Sequence, residues 1–356
     1  MDFLSIPGSS KPYGPLALLL AMVIFVLLLN GCGTNPPPSV TPTPTLTLTP
    51  TFPATLTPTP EPLGTASNPY VIGLVAAPDD QQMTAAADEL ARQLSALGGV
   101  SMVGRTYATY HQLILGMSRG EVHTAWMPPL TYLYASQRGI AEAALLTNHF
   151  GVYQYGVQFM ANVDSGFTPY FDPISGLSSA DAITALEQFR GRRPCWTETQ
   201  SAAGYILPAG LLQVFDIAVL PGVQSQTHSA VVRSLYIKGV CDFGATFSIS
   251  GDPRTASNVI TDLPDVMNRV LIIWRSDAVI PNVNLSLIAG LSEGERLTMT
   301  NAFLDLGRTP EGRALLSLSA GNYQIDAIQA IDDDVYDTLR EAARALNYDL
   351  SLTIGK

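Results

Sequence analysis

Residues 66–356 read as strand and helix in alternation, and the alternation runs twice. "NPYVIGLVAAP" is an apolar run that stops at a proline turn. "DQQMTAAADELARQLSALGG" sets Met83, Ala87, Leu90, Leu94 and Leu97 at helical spacing and ends on two glycines. "VSMVGRTYA" and "EVHTAWMPP" follow as strands, "TYHQLILGMSRG" as a helix closed by Gly120, and "PPLTYLYASQRG" as a helix opened by its prolines. Near-continuous apolar strands joined by helices predict a mostly parallel sheet with helices on its faces. The order returns in "RRPCWTETQSAAGYILPAGLLQVF", "IAVLPGVQSQTHSAVVRSLYIKG" and "VCDFGATF", then a strand in "NRVLIIWRSDAVIPNV" and closing helices from Ser292 and Asp332 onward. Two α/β lobes of one plan predict a hinged cleft, with a ligand at the carboxyl ends of the strands.

The chain before this body cannot join a core. Residues 35–65, "NPPPSVTPTPTLTLTPTFPATLTPTPEPLGT", are mostly Pro and Thr and predict a semi-rigid spacer, on the order of 90 Å long at ~3.1 Å per residue. Ahead of it, Leu16–Leu29 is an apolar run of fourteen residues, short of the roughly twenty that span a bilayer. It reads as the core of a secretory signal. Leu29-Asn30-Gly31-Cys32 resembles a bacterial lipobox, which implies cleavage before Cys32 and a diacylglyceryl anchor on its sulfur. An uncleaved signal anchor is the alternative. The organisation predicted is a signal peptide over 1–31, a lipidated Cys32 and tether over 32–65, a first lobe over 66–163, a second over 164–272, and a return to the first lobe with C-terminal helices over 273–356. Such a body stands on the outer face of the bacterial cytoplasmic membrane.

The net charge is −11 and lysine occurs only at 11, 238 and 356. A surface this acidic repels nucleic acid, and any bound anion needs a local site. In an oxidising compartment Cys195 and Cys241 form a disulfide or remain two buried thiols. There is no phosphate-binding GxxxxGK[ST], no HExxH, no CxxC and no GxSxG, and the four histidines lack metal-ligand spacing. No cofactor, metal or enzymatic activity is expected. The acidic run Asp332–Asp334 reads as a helix cap. Ser201 reads as the N-cap of a helix from Ala202, whose amides would attract an anion. Tyr110 and Tyr132 open two other helices, each as core or as a ligand contact.

Four segments taken together resemble the PhnD-like substrate-binding proteins of phosphonate, phosphite and phosphate ABC importers, of the periplasmic binding protein type 2 fold. They are "TYHQLILGMSRGEVHTAWMPPLTYLYA", "QSAAGYILPAGLL", "THSAVVRSLYIKGVCDFGATF" and "RSDAVIPN", in the family's order and spacing. The resemblance implies ligand contacts from Tyr110 and Tyr132 in the first lobe, an oxyanion cradle at Ser201, Ala202 and Ala203, and polar contacts from His228 and Asp242. Ser201, Tyr132 and Asp242 should then face one gap. It also implies ABC permease subunits as partners, a small anionic solute, and a monomeric receptor. A sensory subunit for a signalling partner and a binding-protein-fold enzyme are the alternatives. Ala202 and Ala203 stand where the family has hydroxyl residues, and each missing bond to a charged ligand is worth roughly 1.5–3 kcal/mol. Thr197, Thr199 and Gln200 are the nearby candidates to replace them.

Overall fold

In the computed structural model, residues 61–355 are described. The signal segment, Cys32 and nearly all of the tether lie outside the described residues. Fourteen strands are described: β1 (Tyr70–Val75), β2 (Met102–Tyr107), β3 (Thr124–Met127), β4 (Ala141–Asn148), β5 (Gln154–Asn162), β6 (Phe171–Asp172), β7 (Leu177–Ser178), β8 (Pro194–Trp196), β9 (Val223–Gln224), β10 (Phe243–Ser248), β11 (Val270–Arg275), β12 (Ile280–Pro281), β13 (Asn284–Ile288) and β14 (Ala327–Ala330). The helices that concern the site are α1 (Gln81–Gly98), α2 (Tyr110–Ser118), α3 (Pro129–Ser136), α4 (Leu207–Val214), α5 (His228–Ile237), α6 (Glu293–Leu306), α7 (Pro310–Ser319) and α8 (Asp337–Ala345).

The strands form two main sheets. The first runs β14-β4-β13-β3-β1-β2 and the second β11-β5-β10-β8-β9. In each, a central strand is flanked by two parallel neighbours: β1 by β2 and β3, β8 by β9 and β10. In each, an antiparallel strand lies next. β13 lies between β3 and β4, and β5 lies between β10 and β11. The two lobes therefore share one sheet plan; the second is built from one continuous stretch, and the first is completed by β13 and β14 when the chain returns.

Two crossings join the lobes, at 149–153 and at 276–283. β5 lies wholly in the second sheet, so the chain leaves the first lobe earlier than the expected boundary at 163/164. Its return follows β11, beyond the expected 272/273. Asn282 fastens the crossings together: its amide donates to the Tyr153 carbonyl at 3.1 Å and its Nδ2 to the Val152 carbonyl at 2.7 Å.

Local sequence accounts for the starts of the first three helices. Asp80 caps α1 and Thr109 caps α2 through side-chain oxygens. Pro129 opens α3, where its missing N–H is harmless. The buried side of α1, with Leu90 and Leu94, packs on β2 and on α6 and α7 of the same lobe. α8 instead packs on α4 of the second lobe, at a site where a Cβ on Gly210 would come within 2.5 Å of the Ala342 Cβ. The segment around it carries one apolar cluster from Tyr132 in the first lobe through Tyr336 and Leu339 to Phe243 in the second. The Cys195–Cys241 disulfide is formed, tying the strand β8 to the residue that leads into its neighbour β10. The predicted strand over "IAVLPGV" shrinks to β9, and "NRVLIIWRSDAVIPNV" is broken between β11 and β12.

Candidate functional site

The helix after β8 starts with a wide turn, and that turn is the centre of the cleft. Ser201 caps it, its Oγ accepting the Gly204 amide at 3.0 Å. Pro208 has no N–H to offer the Gly204 carbonyl, and its ring crowds that carbonyl. The first turn, Ala202–Ile206, is consequently π-helical: Ile206 and Leu207 donate five residues back, to the carbonyls of Ser201 and Ala202. The Gly204 carbonyl takes the Thr197 amide instead, at 3.2 Å. Any side chain at 204 is excluded, since a Cβ would sit 1.9 Å from Thr197 Oγ1. The amides of Ala202 and Ala203 come first in the turn and have no intrahelical acceptor.

Two cavities meet at this turn and at Tyr155. The smaller, about 240 Å³, is enclosed by Tyr110 and Pro128–Thr131 from the first lobe and by Gln200 and Ala202 from the second. The larger, about 750 Å³, extends from Ser201 and Ala203 past His228 and Phe247 to His149, Phe150 and Tyr323 at the first crossing. No Lys or Arg lines either cavity among the described residues. Asp252 is the one carboxylate on the lining, and Arg254 pairs with it at 2.7 Å while Gln158 donates to it at 3.1 Å. Burial raises the Asp252 carboxyl, but the Arg254 guanidinium outweighs it and holds the group below its usual range.

Burial holds three of the remaining polar groups in their neutral forms. His228, first residue of α5, meets Phe247 edge-on at 4.8 Å between ring centres. Burial pushes its imidazole down to about 4, and its buried Nδ1 has no hydrogen-bond partner. Burial pushes the Tyr110 hydroxyl up to about 12 and raises that of Tyr155 as well.

Of the residues the sequence singles out, Tyr110, Ser201, Ala202, Ala203 and His228 line these two cavities. Tyr132 and Asp242 do not, so the expected common gap with Ser201 is not formed. Tyr132 is 1% exposed; its hydroxyl donates to Asp333 and accepts the Ala143 amide at 3.2 Å. It faces inward on α3, toward β4 and the Tyr336 ring. Asp242 precedes β10, at the amino end of the strand whose other end reaches the cavity with Phe247. Six residues of strand put it about 20 Å away. It accepts the Arg193 amide at 2.7 Å instead. The Asp332–Asp334 run provides no side-chain cap, and Asp333 is taken by Tyr132 and Arg340. Thr197 is buried against Gly204, so of the candidate replacement donors only Gln200 lines a cavity. Sequence reading missed Tyr155, His149, Phe150 and Tyr323. The aromatic run "HFGVYQY" between two apolar stretches was the available signal.

The profile of the family described as ABC transporter, phosphonate, periplasmic substrate-binding protein matches residues 72–336. The chain belongs to this family. Its members are binding components of ABC transporters and not enzymes. The phosphonate-family fold is also seen in XAC2383 from Xanthomonas citri bound to ATP, at 16% identity and a TM-score of 0.57 over 78% of this chain and 98% of that one. The same protein bound to chloride ion gives 16% identity and 0.55 over 78% and 97%. PhnD1 from Prochlorococcus marinus, in complex with methylphosphonate, gives 14% identity and 0.48 over 79% and 98%. No curated protein sequence matches this phosphonate-family chain.

Two predictions separate the structural residues from the cleft. Tyr132→Phe removes a buried bond to a carboxylate and should lower unfolding free energy by about 1–2 kcal/mol in urea, with ligand affinity unchanged. A tenfold affinity loss would return Tyr132 to the site. For His228 the folded value near 4 lies below the ordinary 6.5, so the unfolded chain binds more protons between them. The stabilisation is complete above pH 6.5 and is lost as pH falls toward 4, on the order of 2–3 kcal/mol. Thermal melts of the wild type and His228→Gln across this window should diverge; superimposable pH profiles would show that the imidazole is not held neutral by folding.

Proposed function

We propose that this chain is the extracytoplasmic receptor of an ABC importer, anchored by lipid on Cys32, and that it carries a phosphonate, phosphite or phosphate-like oxyanion between its lobes. The observation that carries this reading is the helix start at 201–203. The amides of Ala202 and Ala203, which have no intrahelical acceptor, lie where both interlobe cavities meet, at the carboxyl end of β8, and the helix end they open supplies partial positive charge. The family match points the same way. Neutral donors surround this point: the Ser201 hydroxyl, the Gln200 amide, Tyr110, Tyr155 and the imidazole of His228. Closure would be a hinge motion about the two crossings, bringing Tyr110 and Thr131 of one lobe against Gln200 and Ala202 of the other. The closed receptor would then deliver its solute to the permease, and no bond is made or broken.

Calorimetric titration with phosphate, phosphite, methylphosphonate and simple carboxylates tests the ligand class. At least one phosphorus oxyanion should bind, and Ala202→Ser, which restores a hydroxyl at the cradle, should tighten it by about tenfold or more. Absence of binding by every phosphorus oxyanion would overturn the ligand reading. The anchor is tested separately: radiolabelled palmitate should enter the wild-type chain in a bacterial host and not Cys32→Ala, and equal labelling of the two would overturn it.

A further inference from the structure

The larger cavity has room for more than an oxyanion head. About 750 Å³ lies within the range of roughly 300–1,000 Å³ that encloses drug-sized ligands, whereas phosphate or methylphosphonate has only a handful of heavy atoms. Besides Ser201, residues of the 250–256 loop and Asn282, its lining carries a group of rings. His149 stacks on Tyr323 at 4.1 Å with 19° between planes and touches Phe150 at 4.2 Å. Phe247 and His228, which meet edge-on, line it from the second lobe.

Phe150 is held there against local preference. His149 and Val152 exchange both backbone hydrogen bonds around a two-residue turn, with Phe150 at φ +50° and Gly151 at φ +85°. Turns of this kind call for Asn-Gly, because both central residues have positive φ. A phenylalanine in this conformation costs about 1–2 kcal/mol, and Phe150 leaves 60% of its surface exposed. Backbone preference does not account for its presence, and its contact with His149 leaves most of the ring open.

We infer that the ligand of this cleft bears a planar aromatic or heteroaromatic substituent, taken up between the His149–Phe150–Tyr323 wall and the His228–Phe247 wall. The inference rests on the oxyanion reading for the ligand's other end. A quaternary ammonium group is the other chemistry that rings recognise. It is disfavoured because the sole carboxylate on the lining already has Arg254 behind it.

The test is a titration of the full chain with methylphosphonate, phenylphosphonate, phosphocholine, benzenesulfonate and benzoate, repeated with Phe150→Asn. Phenylphosphonate should bind at least tenfold more tightly than methylphosphonate. Phe150→Asn should bring that ratio toward one while raising Tm by about 1–3 °C, because Asn suits the turn. Equal binding of methyl- and phenylphosphonate, or a preference for phosphocholine, would overturn the aromatic substituent and leave the oxyanion reading intact. Failure of every phosphonate, with Phe150-dependent binding of benzenesulfonate or benzoate, would overturn the phosphorus ligand and support the aromatic one. Failure of every aromatic compound would overturn the inference.

Discussion

The return of the chain to its first sheet is the constraint from which the rest follows. That sheet is incomplete until β13 and β14 come back to it, whereas β5, β8, β9, β10 and β11 of the second sheet come from one continuous stretch in between. The antiparallel ladder of β13 with β4 runs through five residue pairs, so the return cannot be undone without losing the middle of a sheet. A chain that leaves a lobe and comes back makes two crossings, and Asn282 binds those crossings side by side. Two adjacent short connections permit rotation about one axis and resist other displacements. The parallel strands of both sheets end at the gap so formed, which puts loop and helix starts, not side-chain charges, at its centre.

That placement sets the electrostatics. A chain of net charge −11 offers an anion no favourable long-range field. Nor does the lining provide a compensating cation, since Arg254 is committed to Asp252. What remains is short-range: oriented amides and neutral hydrogen-bond donors in a partly enclosed space, where such dipoles are less screened than in water. The π-turn matters for this reason. By removing one backbone donor, Pro208 moves the Gly204 carbonyl onto Thr197, and the helix start is locked to β8 through Gly204 itself. The cradle is rigid because it is anchored from behind.

Much of this was legible in the sequence. Helix starts at Tyr110, Pro129 and Ala202 carried capping residues or proline, and local rules suffice there. The lobe boundary was not legible. β4 and β5 are adjacent apolar strands, and period alone cannot say that one closes the first sheet and the next is inserted into the second; that depends on pairing with β13 and β10, far along the chain. Tyr132 and Asp242 failed for a related reason. A residue type at a family position does not fix which side of a helix, or which end of a strand, it occupies. The aromatic wall was missed because its rings come from separate segments: His149 and Phe150 at one crossing, Tyr323 before β14, Phe247 at the end of β10.

The alanines at 202 and 203 and the rings at the crossing describe one change. On the proposed oxyanion reading, two hydroxyl donors absent from the helix start would weaken the hold on the ligand by an amount that grows with its charge. An aromatic wall gains affinity from the rest of the ligand, in proportion to apolar area and independently of that charge. A receptor altered in both respects shifts its selectivity from the head group to the substituent. The strained turn at Phe150 belongs to this shift. It lies at the crossing about which the lobes would rotate, so a ring packed against it would be in contact with the hinge as well as the cleft. If the lobes close on an aromatic ligand as proposed, ligand shape and closure would be coupled at one residue, and a small inorganic oxyanion, bound only at the helix start, would leave that coupling unused.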